Sequence, residues 1–412
     1  MNQATSDFIR LYANCDVKEL ALKAHGAENI DLPFALNQIK GRQTARQKLP
    51  SWGAIDGIVF PPHLSMEQCS SEPTARYKEQ LVEQVSSLFC QKSSFVDLTG
   101  GFGVDFSFIA RRFDNALYVE RQSHLCDIAR HNFSLLGLNH AEVVCAEAED
   151  FLHNMSHANV IFLDPARRDT NGSRTFAISD CTPDVTKLKP LLLAKADMVI
   201  VKLSPMLDWR KAVADLGKTC VSEVHIVSVE NECKELLVVM KHDEQNGLKL
   251  TCVDIKKDDY SLFTYFVGSP LNNPSRHSQT SEAEEVKGAQ RFLYEPNASV
   301  MKAGCFDEIC KRFELRQIAP NSHLFLSDCP IDDFPGRSFE IQSTTTMNKR
   351  EMKVALIDVN RANIAVRNFP LSASDLRKRL KLKDGGDTYI FASTDSDGLH
   401  KLFICKKTTK KP

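Results

Sequence analysis

The sequence has no apolar run that reaches the roughly 18 residues a membrane-spanning helix needs. The longest candidate, residues 191–203, is broken by Lys195, Asp197 and Lys202. The start, MNQATSDFIR, has no basic stretch followed by an apolar core, so no secretory leader is expected, and a cytoplasmic location is. C-x-x-C is absent too: the thirteen cysteines are odd in number and widely spaced, and the nearest pair is Cys305 and Cys310. Zinc sites need paired ligands at short spacing, and disulfide frameworks belong to short secreted chains. The cysteines therefore read as reduced thiols acting as small hydrophobes, and no metal is expected. There is no internal repeat and no low-complexity tract. At 42% hydrophobic and 25% charged residues the composition excludes a disordered chain, and 412 residues suffice for two or three domains.

Net charge is also nearly absent, at −1, but the balance is uneven. Residues 333–412 hold 16 Lys plus Arg against 9 Asp plus Glu, a local excess of +7. A basic terminal segment on a slightly acidic body suits a polyanionic partner. A solvated surface with a ragged tail (KKTTKKP) would give the same count.

Three regions separate by pattern. Residues 1–75 read as helical and then loop-rich, with Asp16 as a helix cap. Residues 76–268 alternate strand and helix, the pattern of a parallel sheet covered on both faces. Strands are expected at 95–99, 116–120, 142–146, 160–164, 198–203, 223–229 and 235–240, and helices at 104–113, 124–136 and 208–215. The last two strands are joined by only ENECK, too short for a crossover, so that pair is expected to be antiparallel. The fold class is α/β: a Rossmann-like sheet of seven strands with the last one antiparallel. A polar linker covers 268–285, and 276–412 read as a C-terminal α+β domain containing one short helical segment (SVMKAGCFDEICKRFE) and a final hairpin.

The first strand runs into Asp97-Leu98-Thr99-Gly100-Gly101-Phe102-Gly103. Glycines between a strand and a helix let the backbone approach a ligand closely. The spacing is not the G-x-G-x-x-G of dinucleotide enzymes. It resembles the first motif of S-adenosylmethionine-dependent methyltransferases, with Asp97, Gly101 and Gly103 in register and Thr99 where many relatives carry a glycine. Seventeen residues after Gly103, the second strand ends in Glu120, followed by Arg121. A carboxylate there can accept both ribose hydroxyls of an adenosine, each charge-assisted bond contributing roughly 1.5–3 kcal/mol. A solvated strand-end glutamate is the alternative. The third strand leads to Glu147-Ala148, a candidate partner of the adenine amine, with Glu149 and Asp150 crowding the same turn. Before the first strand, Ser71, Glu72 and Pro73 either cap a helix or meet the methionine end of the cofactor.

The fourth strand delivers Asp164-Pro165-Ala166-Arg167-Arg168 to the edge where α/β sheets bind ligands. This resembles the D-P-P-Y motif of methyltransferases that act on planar amino nitrogens, with Ala-Arg in place of Pro-aromatic. Asp164, Pro165 and Arg167 are the candidate catalytic residues. D-P-x-R also occurs in enzymes that methylate uridine C5, which need a nucleophilic cysteine after the fifth strand. Here that strand ends in Lys202-Leu203-Ser204-Pro205, without cysteine, so nitrogen is the expected acceptor. Cys181, after the fourth strand, keeps the C5 route open. Arg167 and Arg168 could hold phosphates, stack on a base, or pair with Asp164 and Asp169.

Together these strings resemble the class I S-adenosylmethionine-dependent methyltransferases. YEPNASVMKAG, DDFPGRSFEI, RNFPLSASDLRKRLKLKDGG and SVENECKELLVV resemble a narrower bacterial group, in which that domain precedes ferredoxin-like and THUMP-like segments. The resemblance implies S-adenosyl-L-methionine as cofactor, bound by Asp97, Thr99, Gly100, Gly101, Gly103, Glu120, Arg121, Glu147, Ala148 and Asp164. It also implies an RNA partner (rRNA or tRNA), presented to the crevice by the basic C-terminal region. Candidate RNA contacts are Arg168, Lys202, Arg367, Arg377, Lys378, Arg379, Lys381 and Lys383, although the run 377–383 is equally a solvated helix face. Three other functions compete: a nicotinamide dehydrogenase, a methyltransferase fold kept only for RNA binding, and a methyltransferase acting on protein or a small molecule.

Overall fold

Short polar side chains set the first helix starts. Asn2 caps α1 (Gln3–Leu11), accepting from the Thr5 amide at 2.9 Å. Asp16 caps α2 (Val17–Lys23), accepting from the Lys18 and Glu19 amides at 2.8 and 3.1 Å, as its position predicts. The basic stretch IKGRQTARQK lies in α3 (Leu32–Lys48). Asp31 caps this helix through the Phe34 amide, a proline occupies its first turn, and Ala, Gln, Arg and Lys are good helix formers. Gly41 sits mid-helix because a Cβ there would lie 2.4 Å from the Phe60 Cβ. Three helices follow: α4 (Pro50–Gly53), α5 (His63–Gln68) and α6 (Glu72–Ser86).

The structure is a computed structural model that describes residues 2–23, 29–86, 92–167, 177–242, 247–257, 259–268 and 291–408. It divides into two compact units, Met1–Val224 with Glu235–Asn246 and His225–Lys234 with Gly247–Pro412. Among the described residues no helix is long and apolar enough to cross a membrane.

In the first unit, β1 (Ser94–Asp97) pairs in parallel with β2 (Asn115–Glu120) and β4 (Ala158–Leu163). In the same parallel sense, β2 pairs with β3 (Ala141–Cys145) and β4 with β7 (Ala196–Leu203). Two short strands, β5 (Ala166–Arg167) and β6 (Cys181–Thr182), form a separate antiparallel pair after β4. Strand β9 (Glu232–Lys241) runs antiparallel to β7, with Leu203 opposite Leu236. The start of β8 (Val221–Val229) lies beyond it, where the Lys241 amide donates to the Cys220 carbonyl at 2.9 Å. The sheet has nine strands rather than the expected seven, and seven of them follow the order β8-β9-β7-β4-β1-β2-β3, with β9 reversed. The central strands β1, β4 and β7 are apolar on both faces, as a sheet covered by helices requires.

Helices α7 (Val104–Ile109), α8 (Ser123–Leu135), α9 (Ala148–Asn154), α10 (Val185–Lys195) and α11 (Trp209–Leu216) fill the connections. The N-terminal helices share a core with this sheet: Trp52 packs edge-on to Phe102 at 4.9 Å, with Phe60 and Phe108 in the same cluster.

The second unit contains the antiparallel pair β10 (Leu248–Ile255) and β11 (Tyr260–Val267). Its larger sheet has the order β13-β14-β12-β15-β18-β17-β16. In chain order these are β12 (Phe292–Pro296), β13 (Arg316–Gln317), β14 (Phe325–Ser327), β15 (Gly336–Thr346), β16 (Asn363–Arg367), β17 (Thr388–Thr394) and β18 (His400–Lys407). The predicted last hairpin is β17–β18. The predicted single helix is two, α12 (Ala298–Ala303) and α13 (Phe306–Phe313), because Gly304 adopts φ 65° and terminates the first. Helix α14 (Lys349–Ala355) follows β15, and α15 (Ala373–Leu380) links the parallel strands β16 and β17. The predicted linker lies almost wholly outside the described residues.

Candidate functional site

The parallel strands of the first unit end together at a cleft of about 630 Å³. At the end of β1 the chain turns sharply. The Gly100 amide donates to the Val119 carbonyl at 2.9 Å, and the Gly103 amide to the Gly100 carbonyl at 2.8 Å. Gly101 and Gly103 adopt φ 55° and 84°, the left-handed region where side chains are strained. A Cβ on Gly100 would lie 2.2 Å from the Tyr118 ring, so this turn leaves no room there for a side chain. Gly100→Ala is expected to destabilise the protein by about 1–3 kcal/mol and to weaken cofactor binding by displacing Tyr118. Urea unfolding and calorimetry check both, and unchanged stability would show that the turn yields easily.

Asp97 is buried, and its carboxylate accepts from the Thr99 amide at 2.9 Å. Burial, helped by the nearby Asp105, Asp164 and Glu120, pushes its carboxyl well above the usual range. The Thr99 hydroxyl accepts from the Asp164 amide at 2.6 Å. This gives the departure at position 99 a role: threonine ties the first turn to the end of β4, a bond that glycine could not make.

Glu120 ends β2 and is mostly buried in the cleft wall, accepting from the Gly101 amide at 3.0 Å and the Gln122 amide at 2.9 Å. These bonds fix the carboxylate against the glycine turn. Arg121, Glu147, Ala148 and Glu149 line the adjoining rim, while Asp150 does not. The cleft is strongly acidic. Among the described residues that line it, Asp105, Glu120, Glu147, Glu149 and Asp164 outnumber the two cations, Arg121 and Lys202. Such a lining suits a cationic ligand and opposes a pyrophosphate.

Asp164 is half-buried at the end of β4, and Pro165 behind it is buried. The backbone of Arg167 pairs with Cys181 in the β5–β6 ladder. The Arg167 side chain and all of Arg168 lie outside the described residues. Cys181 is buried, with its thiol toward the Ala177 carbonyl at 3.9 Å, and it does not line the cleft. Cys69 does line it, but burial pushes that thiol up, the opposite of an activated nucleophile.

Lys202, a candidate RNA contact, lies in the cleft lining. Its ammonium lies 2.6 Å from Asp164 Oδ2 and 3.4 Å from Asp105 Oδ2, and its side chain is only 12% exposed. Burial alone would lower its pKa, yet the charges of Asp164, Asp105 and Glu235 raise it well above the ordinary lysine value.

Behind it lies a buried chain of charges that sequence reasoning did not find. Lys78 Nζ is 3.2 Å from Asp105 Oδ1 and 2.5 Å from Glu235 Oε1. Ser70 Oγ donates to Asp105 at 2.7 Å. Burial favours the neutral form of Asp105, but Lys78 and Lys202 overcome it and hold that carboxyl below its usual value. In Glu235 burial prevails over the same two lysines, and its carboxyl is raised. Lys78 carried a signal, as it sits on the buried face of α6 with Ala75, Leu81 and Val82, where an apolar residue is the rule.

In the second unit, Arg367 and Arg337 both hold the buried Glu295, Arg367 at 3.0 Å. Arg377 pairs with Asp384 at 2.5 Å. Two of the six predicted C-terminal contacts are therefore engaged in ion pairs. Lys378, Arg379, Lys381 and Lys383 are exposed on and after α15.

The family model of a ferredoxin-like domain matches residues 292–335, and that of a THUMP-like domain matches 336–407. A solved structure from Porphyromonas gingivalis W83, of a protein assigned to the methyltransferases, is 30% identical over 98% of both chains, with TM-score 0.83. A SAM-dependent methyltransferase from Agrobacterium tumefaciens is 13% identical over 40% of this chain and 61% of that one, with TM-score 0.31. A Pyrococcus horikoshii protein assigned as an RNA methyltransferase is 11% identical over 50% and 98%, with TM-score 0.35. No curated protein matches.

Proposed function

This chain belongs to the S-adenosylmethionine-dependent methyltransferases that carry C-terminal ferredoxin-like and THUMP-like domains, and from that membership we propose that it methylates RNA. The observation that carries the enzymatic half is the acidic cleft, with a glycine turn on one side and Asp164 on the other. S-adenosylmethionine, a sulfonium cation, supplies an activated methyl group when bound, and the chain's task is alignment and exclusion of water. In this reading Glu120 takes the ribose hydroxyls, the Gly101–Gly103 backbone lies against the ligand, and Glu147 takes the adenine amine. A dinucleotide would set its pyrophosphate among these carboxylates, which disfavours the dehydrogenase reading. A fold kept only for RNA binding would have no need of a buried charge chain behind Asp164, which disfavours that one.

Support for the RNA half comes from the exposed cations of the α15 region and from the THUMP-like match, THUMP domains being associated with RNA modification. Binding through Z phosphates of single-stranded RNA is expected to weaken with salt at a log–log slope of about −0.7Z.

Glu120→Ala is expected to weaken S-adenosylmethionine binding about ten- to hundredfold, the equivalent of roughly 1.5–3 kcal/mol. Unchanged affinity in calorimetry would remove Glu120 from the ribose site. The deciding experiment titrates the protein with S-adenosylmethionine and then follows tritiated methyl into total RNA from a strain lacking the gene. Cofactor binding with label in RNA supports the reading; binding with label only in protein or small molecules refutes the RNA half.

A further inference from the structure

The carboxylate expected to receive an exocyclic amine is already bound to an ammonium. Lys202 occupies Asp164 Oδ2 at 2.6 Å, while Oδ1 has no hydrogen bond among the described residues. Lys202 is in turn held by Asp105, Asp105 by Lys78, and Lys78 by Glu235, an alternating series of five charges. Asp164, Lys202 and Asp105 line the cleft; Lys78 and Glu235 lie behind it.

This arrangement distinguishes between acceptor chemistries. A planar amine attacks through its nitrogen and becomes more positive as the methyl group arrives. It needs hydrogen-bond acceptors around it, and a neighbouring ammonium opposes the charge it develops. A hydroxyl has the reverse requirements. It is a weak nucleophile that must lose a proton, and its oxygen becomes more negative. It needs one group to take the proton and one cationic donor on the oxygen, side by side. Asp164 and Lys202 are such a pair.

Resting on the reading of the chain as an RNA methyltransferase, we propose that the acceptor is a ribose hydroxyl of RNA, with Lys202 donating to its oxygen and Asp164 accepting its proton. The oxygen–carbon bond forms as the bond from the methyl carbon to the donor sulfur breaks. The sulfur keeps that electron pair. The hydroxyl proton moves to Asp164 Oδ1 and leaves to solvent, to which that side chain is 40% exposed. The carboxylates around Lys202 keep it protonated, so it serves as donor rather than base. Asp105, Lys78 and Glu235 touch no substrate and act as positioning residues for the Lys202 ammonium.

The test uses the full chain, tritiated S-adenosylmethionine and total RNA from a strain lacking the gene, followed by nucleoside analysis of the labelled RNA. The expected product is a 2′-O-methylnucleoside, recovered in alkali-resistant dinucleotides. Label in a base-methylated nucleoside overturns the inference and leaves the RNA methyltransferase reading standing. Cofactor binding with no label in RNA overturns that reading, and the inference with it.

A second measurement compares Lys202→Met and Lys202→Arg. Transfer should fall at least about 100-fold in the methionine variant, while arginine, which preserves the cation, should retain more than about a tenth. S-adenosylhomocysteine affinity, read by calorimetry, should stay within about threefold in both variants. Full transfer by Lys202→Met, or loss of S-adenosylhomocysteine binding in both variants, would show that Lys202 does not serve the acceptor.

Discussion

Asp164→Ala is expected to reduce methyl transfer by at least about 10²–10⁴-fold while S-adenosylmethionine affinity changes by less than about threefold. The separation follows from where the side chain sits. Its backbone amide is tied to Thr99, a bond that alanine keeps, so the first turn and the glycine cradle should survive. Its carboxylate is half-exposed and pairs with Lys202, whereas Glu120 is held by the Gly101 amide, so the adenosine end of the ligand should lose little. What disappears is the nearer of the two negative partners of Lys202 and the acceptor for the substrate's proton. Asp164→Asn keeps the shape but cannot take a proton, and it should be nearly as slow. Calorimetry with the cofactor and single-turnover transfer to RNA separate the two quantities. Loss of cofactor binding in Asp164→Ala would mean that this carboxylate holds the cofactor.

Lys78→Met is expected to destabilise the first unit by about 3–5 kcal/mol, because a buried ion pair broken from one side leaves the other charge uncompensated. Lys78 is fully buried between Asp105 and Glu235, both themselves buried, so its removal leaves Glu235 without its ion-pair partner and Asp105 with Lys202 as its remaining cation. Restoring an apolar neighbour with Lys78→Met/Glu235→Leu should recover part of the loss, since replacing a whole buried pair is often nearly neutral.

The pH dependence has a definite sign. In the native protein the Asp105 carboxyl is depressed, a contribution to stability that is present above its unfolded pKa and lost as pH falls through the folded value. Without Lys78 that contribution shrinks, and the penalty already attached to Glu235, whose carboxyl is raised, grows as pH rises. The stability difference between native protein and variant should therefore be largest near neutral pH and narrow toward acid. Urea unfolding at several pH values measures it, and a difference independent of pH would show that the loss is one of packing alone.

Much of the first unit was legible because it is encoded locally. A strand announces itself by a short apolar run, a helix by its period and cap, and a ligand turn by glycines that no other residue can replace. Asp97, Gly101, Gly103, Glu120 and Asp164 sit at strand ends, where the pattern changes from apolar to polar, and the structure gathers them around one cleft. Arg367 and Arg377 are legible in the sequence only as basic residues in a basic stretch; their carboxylate partners, 72 residues away for Arg367 and 7 for Arg377, are not.

By itself, the sequence determined the α/β class, the ligand turn and the carboxylates that flank it, since each depends on residues within about one helical turn or strand of one another. Only the tertiary structure decided what Lys202 does. Glu235 reaches Lys78 across 157 residues because β9 runs back along β7, between β7 and β8, and because α6 turns its buried face toward that strand. Opposite charges attract across space with no regard to sequence separation, so the charge chain exists only once the sheet order does.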